Sequence, residues 1–219
     1  MSQVIASFLT VFAGLIPIVN PLGMAPIFLR MTSGASSATR AALAWRVALY
    51  GFVLMVGSLF IGSHILAFFG LTLPAIQVAG GLVVMAAGWR LLQEGGDVES
   101  RQSQAPVPDE VLMSHAFFPL TLPLTVGPGT MSVAITIGTT GATDAAGERL
   151  LPLAIGAIAA TLAVAASIYV SYRFAYGILR WLGETGTDIF LRLSAFVLLC
   201  LGVQILWNGV HALLSLHAT

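Results

Sequence analysis

The sequence predicts an all-α integral membrane protein: six transmembrane helices forming two inverted three-helix repeats, with helices 1 and 4 broken. Three observations carry that prediction. The 219-residue chain is 58% hydrophobic and 8% charged, with a mean hydropathy of +0.95, whereas soluble domains carry roughly 25% charged residues. Six segments reach the ~20 apolar residues that a span requires. Two of these are interrupted by helix breakers, IPIVNPLGMAP at 16–26 and PLTLPLTVGPGT at 119–130.

The first span covers 3–29. Its lead, MSQVIASFLTVF, lacks the basic region of a signal peptide and reads as a retained helix. Spans two and three, 43–69 and 73–93, are separated by a short turn at 70–73. The connector EGGDVESRQSQAPVPDEV, 94–111, is the one sizeable polar segment, and its Ser, Gln, Pro and acid content suits a flexible loop. Spans four to six follow at 116–139, 150–173 and 188–214, joined by TTGATDAAGER and RWLGETGT. The whole chain, 1–219, is therefore one transmembrane domain: repeat 1 at 1–93, a cytoplasmic loop at 94–115, and repeat 2 at 116–219.

Charge placement sets the orientation. With six spans, loops one, three and five share a side, and in or beside them lie Arg30, Arg40, Arg46, Arg90, Arg101, Arg173 and Arg180. The opposite side has only Arg149, and Arg192 starts out inside the sixth span. The positive-inside rule puts those loops in the cytoplasm and both termini outside. Trp89, Trp181 and Trp207 fall near span ends, as interfacial anchors do.

The two halves match weakly but in order. ILAFFG (65–70) parallels ILRWLG (178–183), and Gly88 parallels Gly202 at an offset of 114. Pro17 and Gly23 parallel Pro123 and Gly129 at an offset of 106, while Pro21 meets Pro128 at 107. Three spans per half force the second half to insert upside down, the inverted arrangement common in secondary transporters.

The breaks themselves carry the chemistry. In lipid, irregular backbone survives only where protein buries it or a cavity borders it. Pro21 removes a donor and disfavours helix at Asn20, and Gly23 tolerates positive φ. Gly127, Pro128 and Gly129 repeat that logic. Each segment is expected to be two half-helices joined by a short unwound stretch near the midplane. Half-helix N-termini suit a carboxylate and freed carbonyls suit an ammonium or a cation, which makes a small site for a dipolar solute. Asn20, Thr121, Thr125, Thr130 and Ser132 surround the breaks. The plainer reading has Pro and Gly making kinks, with Thr and Ser bonding back to their own helix.

The remaining polar residues are less specific. Gln204 and Asn208, four apart in span six, are candidates to line a cavity or to pair between helices. Asp188 and Arg192 read as a local ion pair, His64 as interfacial, and Gly80, Gly81 and Gly88 as close helix contacts. Zero net charge gives no face for nucleic acid. The lone Cys200 makes no disulfide framework or cysteine-based metal site. There is no P-loop, HExxH or catalytic triad pattern, so no enzyme and no cofactor are expected. No acidic residue lies deep in a span, which leaves the coupling ion, H⁺ or Na⁺, open.

In NPLGMAPIF (20–28), AGG (79–81), PLTVGPGTMS (123–132) and GVQILWNG (202–209) the sequence resembles the MarC family of bacterial inner-membrane proteins, with its SnatA-like small neutral amino acid transporters. Length, span number and motif order agree over nearly the whole chain. The resemblance implies inverted three-helix repeats, an inner-membrane location, and transport of zwitterions such as glycine and alanine. It makes Asn20, Pro21, Gly23, Gly127, Pro128, Gly129 and Thr130 substrate-site positions, beside Thr125 from the residues themselves. The rival reading is a channel for small uncharged solutes, since Asn-Pro at a half-helix junction resembles the aquaporin signature. Against it, the second half has Gly-Pro-Gly and lacks the selectivity arginine. A third class is a non-transporting membrane scaffold.

Overall fold

A computed structural model describes residues 2–32, 34–94, 109–144 and 150–217. Arg101, Arg149 and most of the expected loop at 94–111 lie outside them. The described residues are almost entirely helical: α1 (Ser2–Val19), α2 (Pro21–Met31), α3 (Ser37–Phe60), α4 (Gly62–Phe68), α5 (Leu73–Glu94), α6 (Asp109–Ser114), a proline segment (Ala116–Thr125), α7 (Pro128–Asp144), α8 (Leu150–Arg173) and α9 (Ala175–His217). Five helices are long and apolar enough to cross a membrane, taking α1 and α2 as one. The proline segment and α7 make a sixth if counted as one span bent by 67°.

Local chemistry sets the boundaries. Ser36 caps α3, its hydroxyl accepting from the Thr39 N–H at 3.1 Å. Arg40 reaches back to the carbonyls of Thr32 and Ala35 beyond α2, at 3.1 and 3.3 Å. Gly70 and Gly183 both take left-handed backbone, φ 66° and 70°, which an L side chain would resist. Gly183 divides α9 into a short helix at 175–182 and a long one at 184–217.

Four expectations change. The second span ends at Phe60, and past Ile61 a separate short helix, α4, follows. The polar connector before span six, RWLGETGT at 180–187, is helical on both sides of Gly183 rather than a loop. Part of the expected loop before span four forms α6, tied to α3 by the Thr39 hydroxyl donating to Asp109 Oδ2 at 2.6 Å. The interruption of the fourth span is longer than the short unwound stretch expected, with extended backbone already at Phe118 and Leu122.

The rod of α1 and α2 lies parallel to α8. Near its start Ser7 Oγ donates to the Leu153 carbonyl at 2.8 Å, and near its end Phe28 stacks on Tyr172 with centroids 4.3 Å apart. It runs antiparallel to α7, where Gly14 faces Val133 and Ile137. Leu15, Val47, Met55, Val126, Val164 and Ile168 are fully buried among these helices. At the edge, α5 and α9 form an antiparallel pair built on glycine. A Cβ on Gly88 would lie 2.7 Å from the Leu199 nitrogen, and one on Gly209 would lie 2.8 Å from the Pro74 carbonyl oxygen. Backbones that close give the dispersion contacts that hold helices together in lipid.

Candidate functional site

The first interruption is one residue wide, narrower than the unwound stretch expected. Asn20 sits at φ 44° between α1 and α2. The ladder resumes at once on either side: its N–H bonds the Ile16 carbonyl at 2.9 Å, and its carbonyl accepts from Met24 at 3.0 Å. Two features of the side chain explain this. Asparagine tolerates positive φ better than most residues, and its Oδ1 accepts from the Gly23 N–H at 3.2 Å. Asn20 is thus the N-cap of α2, with Pro21 in the first helical position, where its missing donor costs nothing. Gly23 leaves room for that cap, since a Cβ there would lie 2.7 Å from Asn20 Cγ. Gly23→Ala is expected to expel the carboxamide and cost about 1 kcal/mol, the value of a lost N-cap; thermal unfolding of the purified protein checks this.

The second interruption is longer and sharper. Phe118 and Leu122 are extended (φ −123° and −109°, ψ 124° for both), as residues preceding proline prefer. The Phe118–Pro119 and Leu122–Pro123 bonds are cis. Wide five-residue turns link the segment, Leu120 N–H to the His115 carbonyl at 3.2 Å and Val126 N–H to Thr121 at 2.9 Å. Thr121 and Thr125 follow the same spacing, donating to the carbonyls of Ala116 and Leu120, both at 2.7 Å. Their hydroxyls therefore serve their own segment, as the plainer reading anticipated.

The chain then re-enters helix at Pro128, with Gly127 at the cap position. Gly127 has no side chain to cap with. The Gly129 and Thr130 N–H groups have no bonded partner among the described residues, so the N-terminus of α7 keeps two first-turn donors. Gly129, however, is a packing residue: a Cβ there would collide with Val84, and Gly80 in turn packs on Ser132. Thr130 and Ser132 are buried, and Ser132 Oγ donates to the Ile76 carbonyl at 3.2 Å. Gln204 and Asn208 are elsewhere, on an exposed face of α9, where Gln204 Nε2 donates to Asn208 Oδ1 at 2.9 Å.

Extending both helices from one contact brings the two interruptions to about the same depth. Gly14 lies against Val133 and Ile137 in the antiparallel pair. Six residues further along α1, or about 9 Å, Asn20 comes level with the first turn of α7. Cavities flank this level. One of about 540 Å³ opens between α1, the end of α3, α4, α7 and α8, with Ser7, Thr10, Ser63, His64 and Thr140 on a wall otherwise apolar. Beyond its floor at Val11 and Ile137, Leu15 and Ala134 are fully buried. Another of about 670 Å³ is bordered by Leu22 and Pro26 of α2 and by Phe174, Ile178 and Leu182. Helix 1 thus meets one cavity before Asn20 and another after it.

One residue escapes sequence reading altogether. Tyr172 is fully buried, stacked on Phe28, and its hydroxyl lies 2.8 Å from Thr125 Oγ1. Thr125 has already given its only hydrogen to Leu120, so Tyr172 donates. An aromatic beside Arg173 at the end of an apolar run looks like an interfacial anchor, and nothing in the sequence marks it as a tie between α8 and the proline segment.

Comparison with known proteins agrees with this architecture. The family model described as MarC family integral membrane protein matches residues 5–214. Inner membrane protein MarC of Citrobacter koseri is 31% identical over 212 residues, covering 93% of both chains. The MarC proteins of Escherichia coli O1:K1 and Salmonella typhimurium are 31% and 30% identical over 208 and 210 residues, again covering 93% of each chain. No solved structure matches. An all-helical chain with five to six apolar spans, matched by one family model over almost its whole length, belongs to the MarC family of integral membrane proteins.

Proposed function

We propose that this protein is a secondary transporter of small neutral amino acids, glycine- and alanine-like zwitterions, working by alternating access in the bacterial inner membrane. Substrate is held where helices 1 and 4 are interrupted, and loops one, three and five face the cytoplasm. The location follows the relatives, which are named inner membrane proteins. The observation that carries the reading is a pair of interruptions that each open on a proline-led half-helix, at Pro21 and Pro128, and that the antiparallel contact of α1 with α7 at Gly14 brings to about one depth when extended along both helices. Their chemistry differs. Asn20 already caps α2, whereas α7 keeps the Gly129 and Thr130 N–H groups for a substrate carboxylate. Pro21 has no donor for the Pro17 carbonyl, which is then available to an ammonium group. The reading calls for no catalysis and no cofactor.

Inverted repeats are supported by the packing. Exchange the first-half elements (α1 with α2, α3, α5) for those of the second half (proline segment with α7, α8, α9). The contact of α1 with α8 becomes that of the proline segment with α3, α2 with α8 becomes α7 with α3, α5 with α7 becomes α9 with α2, and α1 with α7 becomes the proline segment with α2. The pairs α5–α9 and α3–α8 map onto themselves. α3 and α8 have 24 residues each, and each leads through a short helix to a left-handed glycine, Gly70 or Gly183.

Buried Leu15 and Ala134 between a cavity and the interruptions favour alternating access over an open channel. The test is uptake of labelled glycine and alanine by proteoliposomes under H⁺, Na⁺ and voltage gradients. Saturable uptake is expected, together with thermal stabilisation by glycine or alanine and none by leucine. No uptake under any gradient would sink the proposal, and non-saturating, solute-driven swelling would make the protein a channel.

A further inference from the structure

The long part of α9 turns one face to α5 through Ala195, Gly202 and Gly209. The opposite face is unpartnered among the described residues. Leu193, Val197, Cys200, Gln204, Trp207 and His211 recur at alternating steps of four and three, and all are exposed, the spacing of a helix–helix seam. Of the five long spans, this one has the smallest buried share, 22% against 28–44% in the others.

Lipid contact explains the leucine, the valine and the tryptophan, but not Gln204 and its neighbour Asn208. Both lie between Gly202 and Gly209, which pack on the apolar helix α5 at Gly81 and Pro74, so they lie within the span. They bond each other through Gln204 Nε2 and Asn208 Oδ1. That leaves Gln204 Oε1 and both Asn208 N–H groups without partners among the described residues. Hydrocarbon offers none.

We propose that this face of α9 pairs with α9 of a second copy of the chain. The unmet groups are complementary to themselves: Asn208 of one copy donates to Gln204 Oε1 of the other, and the reverse, closing an isologous pair. Two copies inserted in the same orientation are related by a twofold axis along the membrane normal. Their α9 helices then run parallel and each seam residue meets its own counterpart. A polar side chain in such a seam fixes register and copy number.

The native Cys200 lies one turn before Gln204 on the same face, so the chain carries its own reporter. The experiment oxidises the full-length protein in membranes with copper–phenanthroline and counts subunits of a fluorescent fusion by photobleaching in dilute vesicles. Wild type is expected to give a disulfide-linked dimer that is lost in Cys200→Ser, and two bleaching steps. Gln204→Leu/Asn208→Leu, which places only lipid-compatible groups on the surface, is expected to weaken dimerisation roughly tenfold while eluting as folded protein. Single-step bleaching of wild type overturns the proposal. So does a dimer indifferent to the double substitution, or one in which Cys200 does not cross-link; the latter would place another face or another membrane helix against α9.

Discussion

Gly202→Val is expected to leave little or no folded protein. A Cβ at Gly202 would sit 2.7 Å from Met85 Cα and 2.9 Å from the Gly81 carbonyl oxygen. Both are main-chain atoms of α5, and no rotamer change moves them. The helices must separate, and in a bilayer no hydrophobic effect presses them back together, because lipid tails are as apolar as leucine. Overpacking alone costs about 1–3 kcal/mol, and separation forfeits contacts along the main interface of α9. A fall in Tm of about 10 °C is expected if any folded protein is recovered. Gly57 is the control. A Cβ there meets nothing within 4 Å, so Gly57→Ala in the last turn of α3 is expected to leave stability unchanged or raise it by up to about 0.5 kcal/mol. Equal behaviour of the two variants in a thermal scan would mean that the α5–α9 backbones are not in contact.

How far the sequence could be read depended on which physical cue was local. Spans at 73–93 and 150–173 coincide with Leu73–Glu94 and Leu150–Arg173, because an apolar run bounded by polar residues needs nothing else to define it. The interruption at 119–130 is legible because its prolines and glycines break helix, but its length is not: a short unwound stretch is expected, and the backbone leaves helix from Phe118, before Pro119. The first interruption is shorter than expected, because at Asn20 one carboxamide replaces the bonds that an unwound stretch would lose. Gln204 and Asn208 were ambiguous for a different reason. Span six is apolar on all sides, and such a helix gives no sign of which face meets protein. Tyr172 depends on a contact 47 residues away in sequence, and no local pattern encodes it.

That contact makes a prediction with a definite sign. Thr125 Oγ1 donates to Leu120 and accepts from Tyr172, so the two partners are not equivalent. Tyr172→Phe removes a donor and leaves no buried orphan, since Thr125 still bonds Leu120; the expected cost is about 1 kcal/mol. Thr125→Val keeps the shape but strands the Tyr172 hydroxyl in a fully buried site and takes a bond from the Leu120 carbonyl. The expected cost is about 2–4 kcal/mol, from an unsatisfied donor and a lost acceptor bond. The double variant Thr125→Val/Tyr172→Phe is expected to be more stable than Thr125→Val alone, because the stranded hydroxyl is gone. Thermal unfolding of all four proteins closes the cycle. Tyr172→Phe proving costlier than Thr125→Val would mean that the tie is not the hydrogen bond described. Under the proposed function the cycle also carries a transport readout. Tyr172 anchors the segment leading into Gly127 and the open N-terminus of α7, so freeing that segment weakens glycine and alanine binding several-fold, even in the Tyr172→Phe protein that remains well folded.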